Sequence, residues 1–191
     1  MPLSAPAARE EYHQRRYDFR GFRRGDGLWD IEGRITDTKS YGFSNYDRAH
    51  VEAGEPLHDM AVRITLGDDF VVRDIEAVTE ASPFNVCPAV AANYRKLVGQ
   101  RMGSGWRRRV REAMGGTEGC THITELIGAM ATVAFQTIYP VLAKEGKIKQ
   151  TGVGGERPAL LNSCHAFRSD GPVVARAWPE HYTGGTTESA S

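Results

Sequence analysis

The feature that most constrains the fold is a pair of alternating segments joined by a short polar turn. In HDMAVRITL the apolar residues recur at every second position, and FVVRDIEAV follows directly after Gly67-Asp68-Asp69. A period of two is the side-chain period of a β-strand, and a short Gly/Asp connection is typical of a hairpin. The sequence therefore predicts a β-hairpin over about residues 58–78, with one face formed by Met60, Val62, Ile64 and Leu66.

The remaining elements follow from periodicity and from their end signals. LWDIEGRITDTKSYGF predicts an earlier strand with a bulge at Gly33, and Pro88 suits the first turn of a helix that opens at Cys87. GWRRRVREAMGG predicts a short basic helix closed by glycines. A long amphipathic helix running to Pro140 is indicated by Ile123, Leu126, Ile127, Met130, Ala134 and Ile138. Strands followed by helices predict an α+β fold, a small antiparallel sheet of about three strands packed by three helices.

Composition shifts along the chain suggest four parts. Residues 1–26 are polar and arginine-rich and predict an N-terminal arm, either flexible or acting as a lid that brings arginines to an anion. Residues 27–143 form the predicted core domain. A linker and C-terminal segment that packs back on the core is predicted over 144–178, and a disordered tail over 179–191.

Length and charge exclude several classes of protein. The 191 residues are 40% hydrophobic and 25% charged with a formal net charge of zero, which favours one globular domain and argues against nucleic-acid binding. No stretch approaches the roughly 18 apolar residues of a membrane span. Three widely spaced cysteines without an N-terminal apolar run indicate a cytoplasmic protein with reduced thiols. The long apolar helix could also serve a homo-oligomer.

The residues that can carry chemistry fall mostly at the ends of predicted elements, where side chains can converge at one rim. Cys87 and Cys120 both begin predicted helices, where the positive end of the helix dipole favours a thiolate. His122 and Glu125 share a helix face and suit an acid/base pair or a ligand with its orienting carboxylate. The catalytic candidates are His122, Glu125, Asp59 and His58, and the candidate metal ligands are Asp59, Cys87, Cys120 and His122.

Ordinary structural roles remain open for each of these residues. Cys87 could be a small buried apolar residue, His58 a strand-edge residue, and His122 with Glu125 a surface hydrogen-bonded pair. The neighbours Cys164 and His165 point in opposite directions if the backbone is extended, so at most one would reach a site. No spacing matches a strict zinc motif such as paired CxxC.

Arginines and aromatic residues supply the candidate substrate contacts. An arginine can hold a carboxylate or phosphate bidentately, and aromatic rings can pack an organic ring. The residues chosen for these roles are Arg63, Arg168, Trp29 and Tyr41. The GSGW stretch at 103–106 has neither the preceding strand nor the spacing of a dinucleotide fingerprint, so no nucleotide cofactor is expected.

Five stretches resemble a bacterial family defined only as domain of unknown function 2889. They are LWDIEGRITDTK, HDMAVRIT, IEAVTEASPFNVCP, GCTHITEL and CHAFRSDGPVV, and they span about residues 28–174. The resemblance implies no established reaction, although it suggests catabolism of aromatic or acyl compounds.

The order of elements is also similar to the NifU/SufE-like fold of iron–sulfur scaffold proteins. That similarity places Asp59, Cys87, Cys120 and His122 at the ligand positions, with His58 nearest to a first cysteine that this chain lacks. The missing thiolate makes an iron–sulfur cluster less expected than a single zinc or iron ion, or a metal-free acid/base site.

The expected function is that of an enzyme with lyase- or hydrolase-type chemistry on a small organic, aromatic or carboxylate-bearing substrate. The alternatives are a metal or iron–sulfur carrier and a non-catalytic binding module. Carriers would hold a metal without turnover, and a binding module would bury unreactive cysteines.

Overall fold

The computed structural model describes residues 2–148 and 157–185. The chain divides into two compact units, residues 1–140 and 141–191. The first unit contains a sheet and helices, and the second contains short helical turns.

The sheet is a four-stranded antiparallel meander in the order β1-β2-β3-β4. Its strands are β1 (His13–Arg23), β2 (Trp29–Lys39), β3 (Pro56–Leu66) and β4 (Val72–Ala81). The hairpin predicted over residues 58–78 is confirmed as β3 and β4. The irregularity in the pairing of β2 with β3 lies between Asp37 and Thr38, not at Gly33 as predicted.

The prediction of about three strands was one short, because β1 lies in the segment assigned to an N-terminal arm. β1 pairs with β2 along its whole length, from His13 opposite Lys39 to Arg23 opposite Trp29. Its sequence, HQRRYDFRGFR, contains no aliphatic residue and therefore lacks the usual strand signal. Charged residues are typical of an edge strand, where they discourage pairing with another chain.

The three predicted helices of the first unit are present, although one differs in type. Residues Cys87–Leu97 form a 3-10 helix, followed by α1 (Trp106–Met114) and α2 (Thr121–Lys144). The Trp106 indole donates to the Ile127 carbonyl at 3.0 Å, which joins α1 to α2. α2 continues past Pro140, where its end was predicted.

The core lies between α2 and one face of the sheet. The predicted apolar stripe of α2 is fully buried, as are Ile31, Ile35, Ile64 and Leu66 of the sheet. A Cβ atom at Gly21 would overlap the Thr137 side chain, so this glycine permits the close approach of β1 and α2. α2 has the length and composition of a membrane span, but a core helix passes the same test.

The opposite face of the sheet carries ion pairs. Arg63 lies 2.8 Å from Glu32 and 3.3 Å from Glu76, and Arg20 lies 2.8 Å from Asp18. The first unit therefore has an α+β fold in which α2 packs against one face of a four-stranded sheet. The finer similarity to the NifU/SufE-like fold stays a prediction.

The second unit contains α3 (Pro172–Ala177) and 3-10 turns at His165–Phe167 and Pro179–His181. The last of these falls in the segment predicted as a disordered tail, whose final part, residues 186–191, lies outside the described residues. The same holds for residues 149–156 of the predicted linker.

Candidate functional site

A buried carboxylate marks the end of the apolar face of β2. Trp29, Ile31 and Ile35 alternate along this face, and Asp37 occupies the next inward position with a side chain only 1% exposed. Arg15 of β1 binds it bidentately, with Nε 2.7 Å from Oδ1 and Nη2 2.8 Å from Oδ2. The strand alternation thus places a paired charge at the rim of the core.

Three imidazoles surround the same carboxylate. His13 Nε2 lies 3.1 Å from Oδ1 of Asp37, and His58 Nδ1 lies 3.0 Å from Oδ2. His122 Nε2, from the first turn of α2, lies 3.9 Å from Oδ2. We call Asp37, Arg15, His13, His58 and His122 the imidazole cluster. It joins three strands to the start of the long helix.

His58 and His122 stack against each other within the cluster. Their ring centroids are 3.9 Å apart and the planes are inclined by 33°. Burial lowers the pKa of His58, and the neighbouring His122 lowers it further, against the opposing effect of Asp37. Burial and the charge of Arg15 lower the pKa of His122 in the same way, against Asp37 and Glu125. Both rings are therefore neutral at neutral pH and able to accept a proton.

Asp37 stays ionised despite its burial. Burial alone raises the pKa of Asp37, but the hydrogen bonds and charge of Arg15, together with His13 and His58, outweigh it and lower the pKa to about 2. The bond to Asp37 in turn raises the pKa of Arg15. The cluster thus holds the ionised pair of Asp37 and Arg15 next to the neutral rings of His58 and His122.

Cys120 lies against the outer ring nitrogen of His122, just before α2 begins. Its Sγ is 3.7 Å from His122 Nδ1 and 3.9 Å from the sulfur of Met60. The Tyr94 hydroxyl accepts from the Cys120 amide at 2.8 Å and donates to the Cys120 carbonyl at 2.9 Å. The backbone that carries the thiol is therefore held from the 3-10 helix.

A cleft of about 600 Å³ lies beside the cluster, between β1, α1 and the start of α2. Arg15 connects the cluster to the cleft, because it binds Asp37 and its Nη1 also lies 3.3 Å from Glu125 in the cleft wall. Gly119 and Thr121, the chain neighbours of Cys120, also line the cleft. Its other walls include Tyr17, Phe19, Met114, Arg107 and Arg111. The volume is that of a site for a small organic ligand.

The structure brings together some predicted catalytic and metal-binding residues and separates others. His58, His122 and Cys120 meet at the cluster, and Glu125 adjoins it through Arg15. Asp59 lies on the opposite face of the sheet, where Arg34 binds both its oxygens at 2.7 and 2.5 Å. Cys87 begins the 3-10 helix as a half-buried free thiol. The predicted ligand set is therefore not assembled.

The predicted substrate contacts are not members of the imidazole cluster. Trp29 is 1% exposed and its indole donates to Asp68 at 2.8 Å, so its ring is part of the core. Arg63 lies on the ion-paired face, and the ring of Tyr41 packs 5.9 Å from that of Tyr12. Arg168 lies in the second unit, where it is paired with Asp170. The exposed residues Cys164 and His165 belong to the same unit.

Sequence reasoning missed Asp37, Arg15 and His13. Asp37 had a usable signal, because it follows Ile31 and Ile35 at even spacing and therefore faces the core. The same parity in β3 groups His58 with Met60 and turns Asp59 outward. Arg15 and His13 carried no such signal, since β1 was not recognised as a strand.

The cluster meets one condition for a metal site and fails another. Ligand atoms of Asp37, His58 and His122 lie within 4.8 Å of one another, and this is the group of that kind found within residues 2–148 and 157–185. However, Arg15 already occupies both Asp37 oxygens. Two imidazoles that bind one ion direct in-plane lone pairs at one point, whereas these rings pack against each other with centroids 3.9 Å apart and planes inclined by 33°.

Comparison with known proteins identifies a family and no reaction. Searches of curated proteins and of solved structures each found no match, so nothing supports the similarity to NifU-type proteins. A family model described as "Protein of unknown function (DUF2889)" matches residues 13–136, from His13 into α2. That span contains the whole imidazole cluster and the cleft, and the chain therefore belongs to the DUF2889 family.

Proposed function

We propose that this protein is an enzyme that transfers protons to and from a small organic substrate in a hydrolase- or lyase-type reaction. One observation carries the proposal: two neutral imidazoles in ring contact lie beside a buried ionised carboxylate, which Arg15 connects to Glu125 in the wall of a cleft. Charged carboxylate, neutral base and adjacent cavity are the components of general acid–base catalysis.

Each member of the cluster has a distinct role in this proposal. His122 is the general base and acid, because its Nδ1 faces away from the carboxylate toward Cys120. Asp37, on the Nε2 side, fixes the tautomer and stabilises the protonated ring. His58 is a positioning residue that packs against the His122 ring. Arg15 holds Asp37 in place and connects it to Glu125.

The cleft favours a substrate with an apolar body and a negatively charged group. Tyr17 and Phe19 stack in parallel on one wall, with centroids 6.0 Å apart. Arg107 and Arg111 of α1 supply positive charge, and the guanidinium of Arg111 has no ion-pair or hydrogen-bond partner among the described residues. An aromatic or aliphatic carboxylate suits these walls. The free thiols of all three cysteines are consistent with a reducing, cytoplasmic setting.

The test is a substrate screen with aryl esters, thioesters and hydroxy acids. His122→Ala is expected to lower turnover of any converted compound by about 10²–10⁴-fold, the usual contribution of a general base. His50→Ala is the matched control, since His50 is half exposed and lies outside the cluster. Turnover that survives His122→Ala would contradict the proposal.

A second candidate is a site for zinc or iron, favoured by the spacing of Asp37, His58 and His122. It would need the rings to turn and Arg15 to release Asp37. Metal analysis of untagged protein tests it: about one equivalent of metal, lost in His58→Ala, would favour this candidate. An iron–sulfur carrier is less favoured, because Cys120 is the thiol that contacts the cluster.

A further inference from the structure

We propose that Cys120 is a nucleophile that forms a covalent acyl-enzyme with a carboxylic ester or thioester substrate. The inference rests on the proposed function, because it uses His122 as the base. It adds the reacting atom and the class of bond that is broken.

The first argument is the order of groups around the His122 ring. The thiol of Cys120 lies 3.7 Å from Nδ1, and the carboxylate of Asp37 lies 3.9 Å from Nε2. The nucleophile and the orienting carboxylate thus lie on opposite sides of the imidazole that acts as the base, which is the arrangement of a catalytic triad. Such contacts are often long in free enzymes and shorten when substrate binds.

The second argument is how firmly the thiol is placed. Tyr94 bonds both the amide and the carbonyl of Cys120, and its hydroxyl also lies 2.9 Å from Thr124 Oγ1. A Cβ atom at Gly119 would overlap the Met114 carbonyl, so glycine permits the tight turn into the helix. A nucleophile held by its backbone loses little freedom when it reacts.

The third argument is a set of donors beside the thiol. The amides of Thr121, His122 and Ile123 belong to the first turn of α2, so no carbonyl within the helix can accept from them. The described part of the chain supplies no other acceptor for them. Free amides next to a nucleophile can stabilise the oxyanion of a tetrahedral intermediate.

The reaction balances without a further reagent except water. His122 Nδ1 takes the thiol proton, and the sulfur attacks the carbonyl carbon while the carbonyl electrons move to oxygen. The intermediate collapses, the bond to the alkoxide or thiolate leaving group breaks, and His122 returns the proton to that group. Water then attacks the thioester with His122 as base, which releases the carboxylic acid and restores the Cys120 thiol.

Alkylation of the wild-type protein is the first test, because it needs no variant to fold. Cys164 is exposed whereas Cys87 and Cys120 are half-buried, so accessibility alone predicts that iodoacetamide modifies Cys164 first. Activation by His122 predicts instead that Cys120 reacts about tenfold faster than Cys164 at pH 7. Peptide mapping by mass spectrometry measures both rates. A slower reaction at Cys120 than at Cys164 would overturn the inference.

Acyl trapping is the second test and separates the inference from the proposed function. After incubation with p-nitrophenyl acetate and acid quench, one acetyl group is expected on Cys120. Cys120→Ser should lose both the adduct and turnover, whereas Cys164→Ser should keep them. Turnover that survives Cys120→Ser but not His122→Ala overturns the nucleophile and retains the base. An adduct on Cys120 that forms unchanged in His122→Ala supports the nucleophile and refutes the base.

Discussion

Asp37 and Asp59 lie on neighbouring rungs of the β2–β3 ladder, on opposite faces of the sheet, and each binds an arginine through both oxygens. Their surroundings differ. Asp37 is 1% exposed and is surrounded by three imidazoles, whereas the Asp59 side chain is 13% exposed and its partner Arg34 is 47% exposed. The same kind of ion pair is thus a partly exposed bridge on one face and the centre of a group of three imidazoles on the other.

The largest effect is expected from removing the charge of each aspartate in turn. Asp37→Asn removes the charge of the buried carboxylate that Arg15, His13 and His58 bind, which should lower the free energy of unfolding by about 3–5 kcal/mol. Asp59→Asn breaks a more exposed pair and should cost about 1 kcal/mol or less. Urea unfolding of the two variants measures both. Equal losses would show that the two faces do not differ as described.

Crowding on the covered face gives the next largest effect. Gly21→Ala places a methyl group against Thr137 of α2 and should lower the free energy of unfolding by about 1–3 kcal/mol through overpacking. Gly25→Ala is the matched control, because no atom lies within 4 Å of the added group. A neutral result for Gly21→Ala in thermal unfolding would contradict the close approach of β1 and α2.

The two faces should also differ in their response to mild acid. The pKa values of His58 and His122 are lower in the folded protein than their ordinary value of 6.5. The unfolded chain therefore binds more protons as the pH falls below about 6.5, so stability is full above that pH and declines below it. The lowered pKa of Asp37 also stabilises the folded protein, and this contribution is lost at lower pH, as the pH falls from about 4 toward 2.

Urea midpoints measured between pH 8 and 5 test this difference. His122→Gln should flatten the decline below pH 6.5, whereas His50→Gln on the exposed loop should leave its slope unchanged. A decline that is identical in His122→Gln and the wild type would show that His122 does not contribute to it.

The smallest effect is expected on the ion-paired face. Arg63 is half exposed and its partners Glu32 and Glu76 are also exposed. Arg63→Ala should therefore change the free energy of unfolding by about 1 kcal/mol or less, and less still at high salt. A loss comparable to that of Asp37→Asn would show that this face is not simply solvated. In the substrate screen, Arg63→Ala should also have the same turnover as the wild type.

The sequence supported the prediction of several local features. Period-two alternation identified β3 and β4, and the 3.6-residue stripe identified α2 and its buried residues. Both signals arise because one face of each element is apolar, which is a property of neighbouring residues. β1 was not recognised for the same reason, since its inward positions include no aliphatic residue; they hold His13, Arg15, Tyr17, Phe19 and Gly21.

The composition of the cluster depended on tertiary structure. His58, His122 and Cys120 were identified as candidates because of their residue types and their positions at element ends. Asp59 was chosen over Asp37 because it follows His58 directly, but adjacent residues of a strand point to opposite faces.

What the sequence by itself determined is the α+β class, the hairpin and the long core helix, because these follow from local periodicity. Only the tertiary structure decided which carboxylate meets the imidazoles. Strand register sets Asp37 opposite His58, and the packing of α2 adds His122 and Cys120 from more than sixty residues further along the chain. Such pairings depend on contacts between distant segments, and no local pattern encodes them.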